Sequence, residues 1–391
     1  MGLEVVFSKR FENIMKLTSH LAKHGRDTAQ AKAEAMQLEG QFLNAASSND
    51  DYQQLCDDYV DTYRIASSPS DIDPESQALL EEIFNTEGPT IGRYEWATFH
   101  AEGVTSTVYK AKKIDDEAEQ SIVALKVMNA DQLQPPHNAY REVRILQKAR
   151  ADSIVPLLDS FKQPGGKLVL IFPFLRQDLE NLLRTGNITR KQCSIVLEGL
   201  LSALSYLHVQ GIIHRDIKPA NVLLRSMEGP VYLIDFGIAW AEGDPDSEIA
   251  ERKITDVGTT CYRPPEILFG CRGYDGSLDM WAAGCVVAEM VTNNHYQLFD
   301  AGPLGSELSL IKSMFSTLGT PTEADWPSAS TYPDWGKVNF QQFPAKSWRE
   351  ILPTASHTAI DFVRRTVCYE STRRMTAREA LDHPLRKEFE S

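Results

Sequence analysis

The run HRDIKPAN (214–221) carries the densest chemical signal in the chain. It places a carboxylate, an ammonium and a carboxamide close together: Asp216, Lys218 and Asn221. Phosphoryl transfer asks little covalent chemistry of a protein; it needs a triphosphate held, a magnesium ion placed and an attacking hydroxyl oriented. Asp216 is suited to accept the hydroxyl proton, Lys218 to offset charge on the transferred group, and Asn221 to bind a magnesium ion. The next marked run, VYLIDFGIA (231–239), reads as a buried strand ending in Asp235-Phe236-Gly237. There Asp235 is suited to hold the ion that bridges the phosphates. The 19 residues from Asp216 to Asp235 suit a β-hairpin between them. Two polar loops would not coincide in this order and spacing by chance.

Toward the N-terminus, Lys126 stands alone in the apolar, strand-like run SIVALKVM (121–128). Glu142 follows 16 residues later in the helix-like AYREVRILQKA (139–149). The two can pair and so position the α- and β-phosphates. Taken singly each is a weak signal, since most strand lysines and helix glutamates are solvated charges.

Short β-rich runs (VYKAKKI, SIVALKVM, LVLIFPF) precede long helical patterns that dominate from Asp178 onward. Strands first and helices after, with the chemistry at the join, describe a two-lobed α+β enzyme. The predicted boundaries are a β-rich N-lobe over 93–175 and a helical C-lobe over 176–391. Ahead of them, 1–66 reads as a helical, hairpin-like extension, with Phe11, Ile14, Met15, Leu17 and Leu21 at helical spacing. The segment 67–92 reads as an acidic linker with a short helix at 75–85. The bland reading of 1–66 is a helical hairpin whose partner the sequence does not name.

Of 391 residues, 54 are acidic and 40 basic, a net charge of −14. Residues 1–90 contribute −9 of this, from 16 acids and 7 bases. Such a balance argues against non-specific binding of nucleic acid or of an anionic membrane surface. No apolar run approaches the length of a membrane span. The six cysteines show no metal-binding spacing, and free thiols in a reducing compartment are expected. Cytoplasm and nucleus both remain open.

With these residues in place, 93–388 resembles a complete eukaryotic protein kinase domain, and within that family the cyclin-dependent kinase branch. PHNAYRE (136–142) is similar to the branch's PSTAIRE helix, and CYRPPEILFG (261–270) to its WYRAPEILLG. DMWAAGCVVAEM (279–290), LGTPTEADWP (318–327) and RRMTAREALDHPL (373–385) match further family segments, read mostly as fold stability; Arg374 is expected to pair with Glu266. The resemblance implies ATP and magnesium as cofactors and a protein Ser/Thr substrate, because Lys218 two residues after Asp216 is the Ser/Thr form. Phe172 is the implied gatekeeper, and Pro173 and Leu175 hold adenine through the backbone. Ala101, Gly103, Val108, Ala124, Lys126, Asp178, Leu223 and Asp235 complete the implied nucleotide contacts. Thr259 is the implied partner of Asp216 and Lys218.

Two departures from the family stand out. The phosphate loop GxGxxGxV falls on 101–108, where only Gly103 and Val108 survive; Ala101 and Ser106 are expected to stiffen it. The activation segment lacks the third phosphate-clamping arginine, replaced by Trp240, and the phosphothreonine, replaced by Ile254. The expectation is a kinase that does not need the usual phosphorylation there, with Thr255, one residue on, as the rival site. This pattern is similar to the single-subunit fungal kinases that activate cyclin-dependent kinases, which implies a monomer acting on another such kinase. Cyclin binding is left open. A catalytically silent scaffold, binding partners through its acidic helical N-terminus, is the competing reading.

Overall fold

A computed structural model describes residues 88–114 and 122–390, with Asn13, Lys16, Leu17, Ala35, Leu38, Phe42, Ala46, Tyr52, Gln53, Gln54 and Cys56 before them. The chain divides into two units, 1–84 and 85–391. In the first, all the described residues but Ala46 are helical, and Leu17, Ala35, Tyr52 and Cys56 are buried. The side-chain amides of Asn13 and Gln53 bond reciprocally at 3.2 and 3.4 Å. The short helix expected at 75–85 lies outside the described residues.

The second unit opens with a five-stranded antiparallel sheet in the order β1-β2-β3-β5-β4. Its strands are β1 (Tyr94–Glu102), β2 (Ser106–Lys113), β3 (Ile122–Asn129), β4 (Asp159–Lys162) and β5 (Lys167–Pro173). Alternation in β3 buries Val123, Leu125 and Val127 on one face, where they pack with Ala111, Val169 and Ile171. Lys126 therefore projects from the opposite face. Helix α1 (Ala139–Lys148) starts at Asn138, whose side chain accepts the Arg141 N–H and caps the first turn.

Beyond β5 the chain becomes helical. Asp178, in β6 (Gln177–Asp178), caps α2 (Leu179–Arg184), and Thr189 with Gln192 forms a capping box for α3 (Arg190–Val209). Helix α3 is apolar and long enough to cross a membrane by composition alone, but its Val196, Leu197, Leu200, Leu204 and Leu207 form the lobe's core. Strand β7 (Ile212–Ile213) leads into the catalytic run, and β8 (Val222–Leu224) pairs antiparallel with β9 (Val231–Leu233), the hairpin expected between Asp216 and Asp235. Strand β10 (Trp240–Ala241) pairs back with β7. Helices α4 (Pro265–Leu268), α5 (Ser277–Met290) and α6 (Glu307–Leu318) follow. Helix α5 is buried on nearly every side, as its almost unbroken apolar sequence requires. Arg374 meets Glu266 in a fully buried bidentate pair at 2.6 and 2.7 Å. Three backbone carbonyls within hydrogen-bond distance of the same guanidinium satisfy more of its donors, which a buried charge requires.

Candidate active site

Asp279 of α5, fully buried, builds the catalytic loop. Its carboxylate accepts the backbone N–H groups of His214 and Arg215 at 2.9 Å each and bonds His208 Nε2 at 3.0 Å. These bonds hold Arg215 at φ +72°, a left-handed conformation that costs a non-glycine residue on the order of 1 kcal/mol. His214 Nδ1 accepts the Asp216 N–H at 3.2 Å, so Nε2 carries the ring hydrogen and donates it to the Ile234 carbonyl at 2.9 Å. The ring also packs edge-on against Phe236. The backbone preceding Asp216 is thereby tied to the backbone preceding Asp235.

Around Asp216 the predicted partners converge. Thr259 donates its N–H and its hydroxyl to Oδ1 at 2.9 and 2.8 Å. Asn221 Nδ2 donates to Oδ2 at 3.0 Å and to the Asp216 carbonyl at 2.7 Å. Lys218 Nζ lies 2.9 Å from Oδ2 and 2.9 Å from the Thr259 hydroxyl. With its NH₂ engaged, the amide of Asn221 has its carbonyl oxygen to offer a cation.

Lys126 bridges Glu142 Oε1 and Asp235 Oδ1, each at 2.7 Å. Burial alone would lower the Lys126 pKa, but the two carboxylates outweigh it and hold the ammonium charged. Lys126 in turn holds the Asp235 carboxyl well below the usual carboxylate range. Asp235 sits at φ +65° with its side chain 44% exposed, an ionised oxygen ligand open to solvent. Among the described residues no group of three or more His, Cys, Asp or Glu forms a metal cage. Asp235 and Asn221 instead suit magnesium, which keeps waters and takes only one or two protein ligands beside substrate phosphates.

Most of the remaining residues implied to contact nucleotide lie in paired strands. Ala101 faces Val108 across β1 and β2, Val108 faces Lys126, and Ala124 faces Phe172. Leu223 pairs with Asp178, and Leu175 is buried. One oxygen of Asp178 is committed to capping α2, where it accepts the Asn181 N–H at 2.7 Å. A cleft of about 900 Å³ is lined by Gly103, Asp216, Lys218 and Thr259 of the predicted set and by His137; Phe172, Pro173 and Leu175 are not part of its lining.

Sequence reasoning missed three positioning residues. Asp279 stood in a run read as structural, and its partners lie 64 and 65 residues away. Asn138 ties α1 to the DFG turn by donating its N–H to the Gly237 carbonyl at 3.0 Å. Arg144 binds Asp244 at 2.7 and 2.8 Å. Only Asn138 left a sequence signal, as a capping residue before a helical run. Trp240 and Ile254, at the two positions that depart from the family, belong to one apolar cluster with Ile213, Ile238 and Val257.

Comparison with known proteins agrees with this geometry. The family model of the protein kinase domain matches residues 101–386. The serine/threonine-protein kinase csk1 of Schizosaccharomyces pombe is 39% identical over 274 residues, 69% of this chain and 87% of that one. Cyclin-dependent kinase 20 of Danio rerio is 33% identical over 287 residues, 72% and 80% of the two chains. Among solved structures, a chain of the CAK complex of Chaetomium thermophilum bound to ATP-γ-S has a TM-score of 0.64 at 29% identity. That match covers 81% of this chain and 95% of that chain.

Proposed function

Because the chain belongs to the protein kinase family, in its cyclin-dependent-kinase-like branch, we propose that it acts alone to phosphorylate the activation loops of other cyclin-dependent kinases. It is a Ser/Thr protein kinase that uses ATP. One observation carries the assignment of roles: Asp216, Lys218 and Thr259 meet within 2.9 Å of one another. A Ser or Thr hydroxyl presented to Asp216 attacks the γ-phosphorus; the hydroxyl proton passes to the carboxylate, the bond to the β-phosphate oxygen breaks, and ADP leaves. Lys218 faces the charge that develops on the transferred group, and Lys126, fixed by Glu142, holds the α- and β-phosphates. Asp235 and Asn221 would hold magnesium, which when bound offsets phosphate charge.

Two points support the finer reading. The Lys126–Glu142 pair is closed, and α1 is held by contacts within this chain, Asn138 to the Gly237 carbonyl and Arg144 to Asp244. The structural relative is a chain of a CAK complex. The test is the purified chain with ATP and magnesium, given a catalytically dead cyclin-dependent kinase whose activation loop is unphosphorylated. Phosphate on that loop without added cyclin is expected. Activity only on unrelated Ser/Thr substrates would overturn the substrate assignment, and activity only with a cyclin would overturn the monomer. Asp216→Asn should cut transfer by about a thousandfold or more; a loss below tenfold would overturn the role of Asp216 as proton acceptor.

A further inference from the structure

Arg141 of α1 and Arg215 of the catalytic loop form a buried arginine pocket, each no more than 2% exposed. Two cations in the interior need an anion. The structure supplies one from the activation segment, six residues before the Ile254 position. Glu248 approaches Arg215 head-on, Oε1 to Nη1 at 3.1 Å and Oε2 to Nη2 at 3.2 Å. Its placement is enforced by Trp240, whose indole N–H donates to the Glu248 carbonyl at 2.8 Å. Burial pushes the Glu248 carboxyl up, but Arg215 pulls it further down, so it is charged at neutral pH.

The same loop grips α1. Arg141 donates to the Asp246 carbonyl at 2.9 Å, and Arg144 bonds Asp244 on two edges and Asp246 at 2.5 Å. The helix that carries Glu142 and the loop that carries Asp216 are thus joined through residues 244–248. Trp240 and Ile254 do not take part as ions; they pack with Tyr274 and Leu278, and Lys253 lies over the Trp240 ring at 4.4 Å. The phosphate clamp of the family is here divided into an apolar half and a carboxylate half.

We propose that the Glu248 carboxylate is the resident anion of the Arg141–Arg215 pocket, and that as a positioning residue it sets the catalytic loop for transfer with no phosphate on the activation segment. The inference rests on the kinase reading above and names how that site is held ready. Arg215 thus reads a carboxylate from its own chain.

The test uses the full chain, treated with phosphatase and shown by mass spectrometry to carry no phosphate. Such protein keeps its kcat, and Thr255→Ala matches it. Glu248→Ala lowers kcat by about 10- to 100-fold, the cost of misplacing a catalytic group, while KM for ATP moves less than about threefold. Glu248→Gln, which keeps the shape and removes the charge, shows the same split, and Glu248→Asp recovers part of the loss. The Nε atoms of Arg141 and Arg215 are buried without an acceptor, so the emptied pocket has donors for a small oxyanion. Sulfate at tens of millimolar therefore raises the kcat of Glu248→Ala, but not that of the parent or of Glu248→Ala combined with Arg215→Ala. Unchanged kcat in Glu248→Gln overturns the proposal, as does loss of activity on dephosphorylation. An inactive parent chain in every phosphorylation state overturns the kinase reading and this inference with it.

Discussion

The catalytic loop and the hairpin expected to cover the phosphates close on one cleft, yet they are held by opposite means. In the loop nearly every polar atom has a partner drawn from elsewhere: Asp279 from α5, Thr259 from the activation segment, the Ile234 carbonyl from beyond the β8–β9 hairpin. In the phosphate hairpin the tip is closed by one backbone bond, Gly103 N–H to the Ser106 carbonyl at 2.8 Å, and Val104 is 95% exposed. The ladder of β1 against β2 does the rest. Where side chains hold a segment its residues are fixed by chemistry; where the backbone holds it, residues can drift. That difference explains how the chain keeps HRDIKPAN whole and loses two of three phosphate-loop glycines.

The comparison breaks most visibly at Asp216. Asp216→Asn keeps the size and removes the proton acceptor, so kcat should fall by about a thousandfold or more, with thermal stability little changed. Steady-state phosphorylation of a protein substrate measures it; a loss below tenfold would mean that the loop positions without accepting a proton. Next is Lys126→Met, which empties the centre of the Lys126–Glu142–Asp235 triangle. A fall of about a hundredfold in kcat/KM for ATP is expected, comparable to removing one preorganised donor. Glu142 and Asp235 then face each other without a cation, and the fold loses stability as well.

Legibility in the sequence follows the same division. Lys126, Glu142, Asp216, Asn221 and Asp235 could be named in advance because phosphoryl transfer demands those residue types at near-fixed spacing, and the structure joins Lys126 to Asp235 across 109 positions; Thr259 was named only through the family resemblance. Apart from Asn138, which reads as a helix cap, the positioning residues could not be named in advance. Glu248 finds Arg215 across 33 positions only because Trp240 and Asp244 shape the intervening loop, and no local pattern reports that path. The strand and helix order was readable from its periodicity, since β3 buries alternate residues and α5 is apolar along most of its length. The helix-capping role of Asp178 was not readable, because an aspartate before a helical run signals either a cap or a site residue.

Two glycines sharpen the contrast further. Gly258, beside Thr259, sits at φ +77°, and a Cβ there would lie 2.6 Å from the Arg215 carbonyl oxygen. Neither strain can relax without moving the catalytic loop. Gly258→Ala should therefore cost about 1–3 kcal/mol and lower kcat by about tenfold, read by thermal melting and by turnover.

Gly103, the middle glycine of the phosphate hairpin, is the opposite case. It is absent from the residues of positive φ, and a Cβ there would meet Ser106 Oγ at 3.4 Å and the Ser106 carbonyl at 3.5 Å, ordinary contacts. Its glycine character is not used by the backbone, so Gly103→Ala should change KM for ATP by less than about threefold, within the range of a surface substitution. Restoring the lost residues, Ala101→Gly with Ser106→Gly, should gain equally little, because the ladder through Ala101–Val108 and Ser106–Met128 already sets the path. If the restored hairpin instead raised kcat/KM more than about tenfold, close approach of its backbone to the phosphates would be what limits this enzyme, and the tolerance argued for the hairpin would belong to the strands alone.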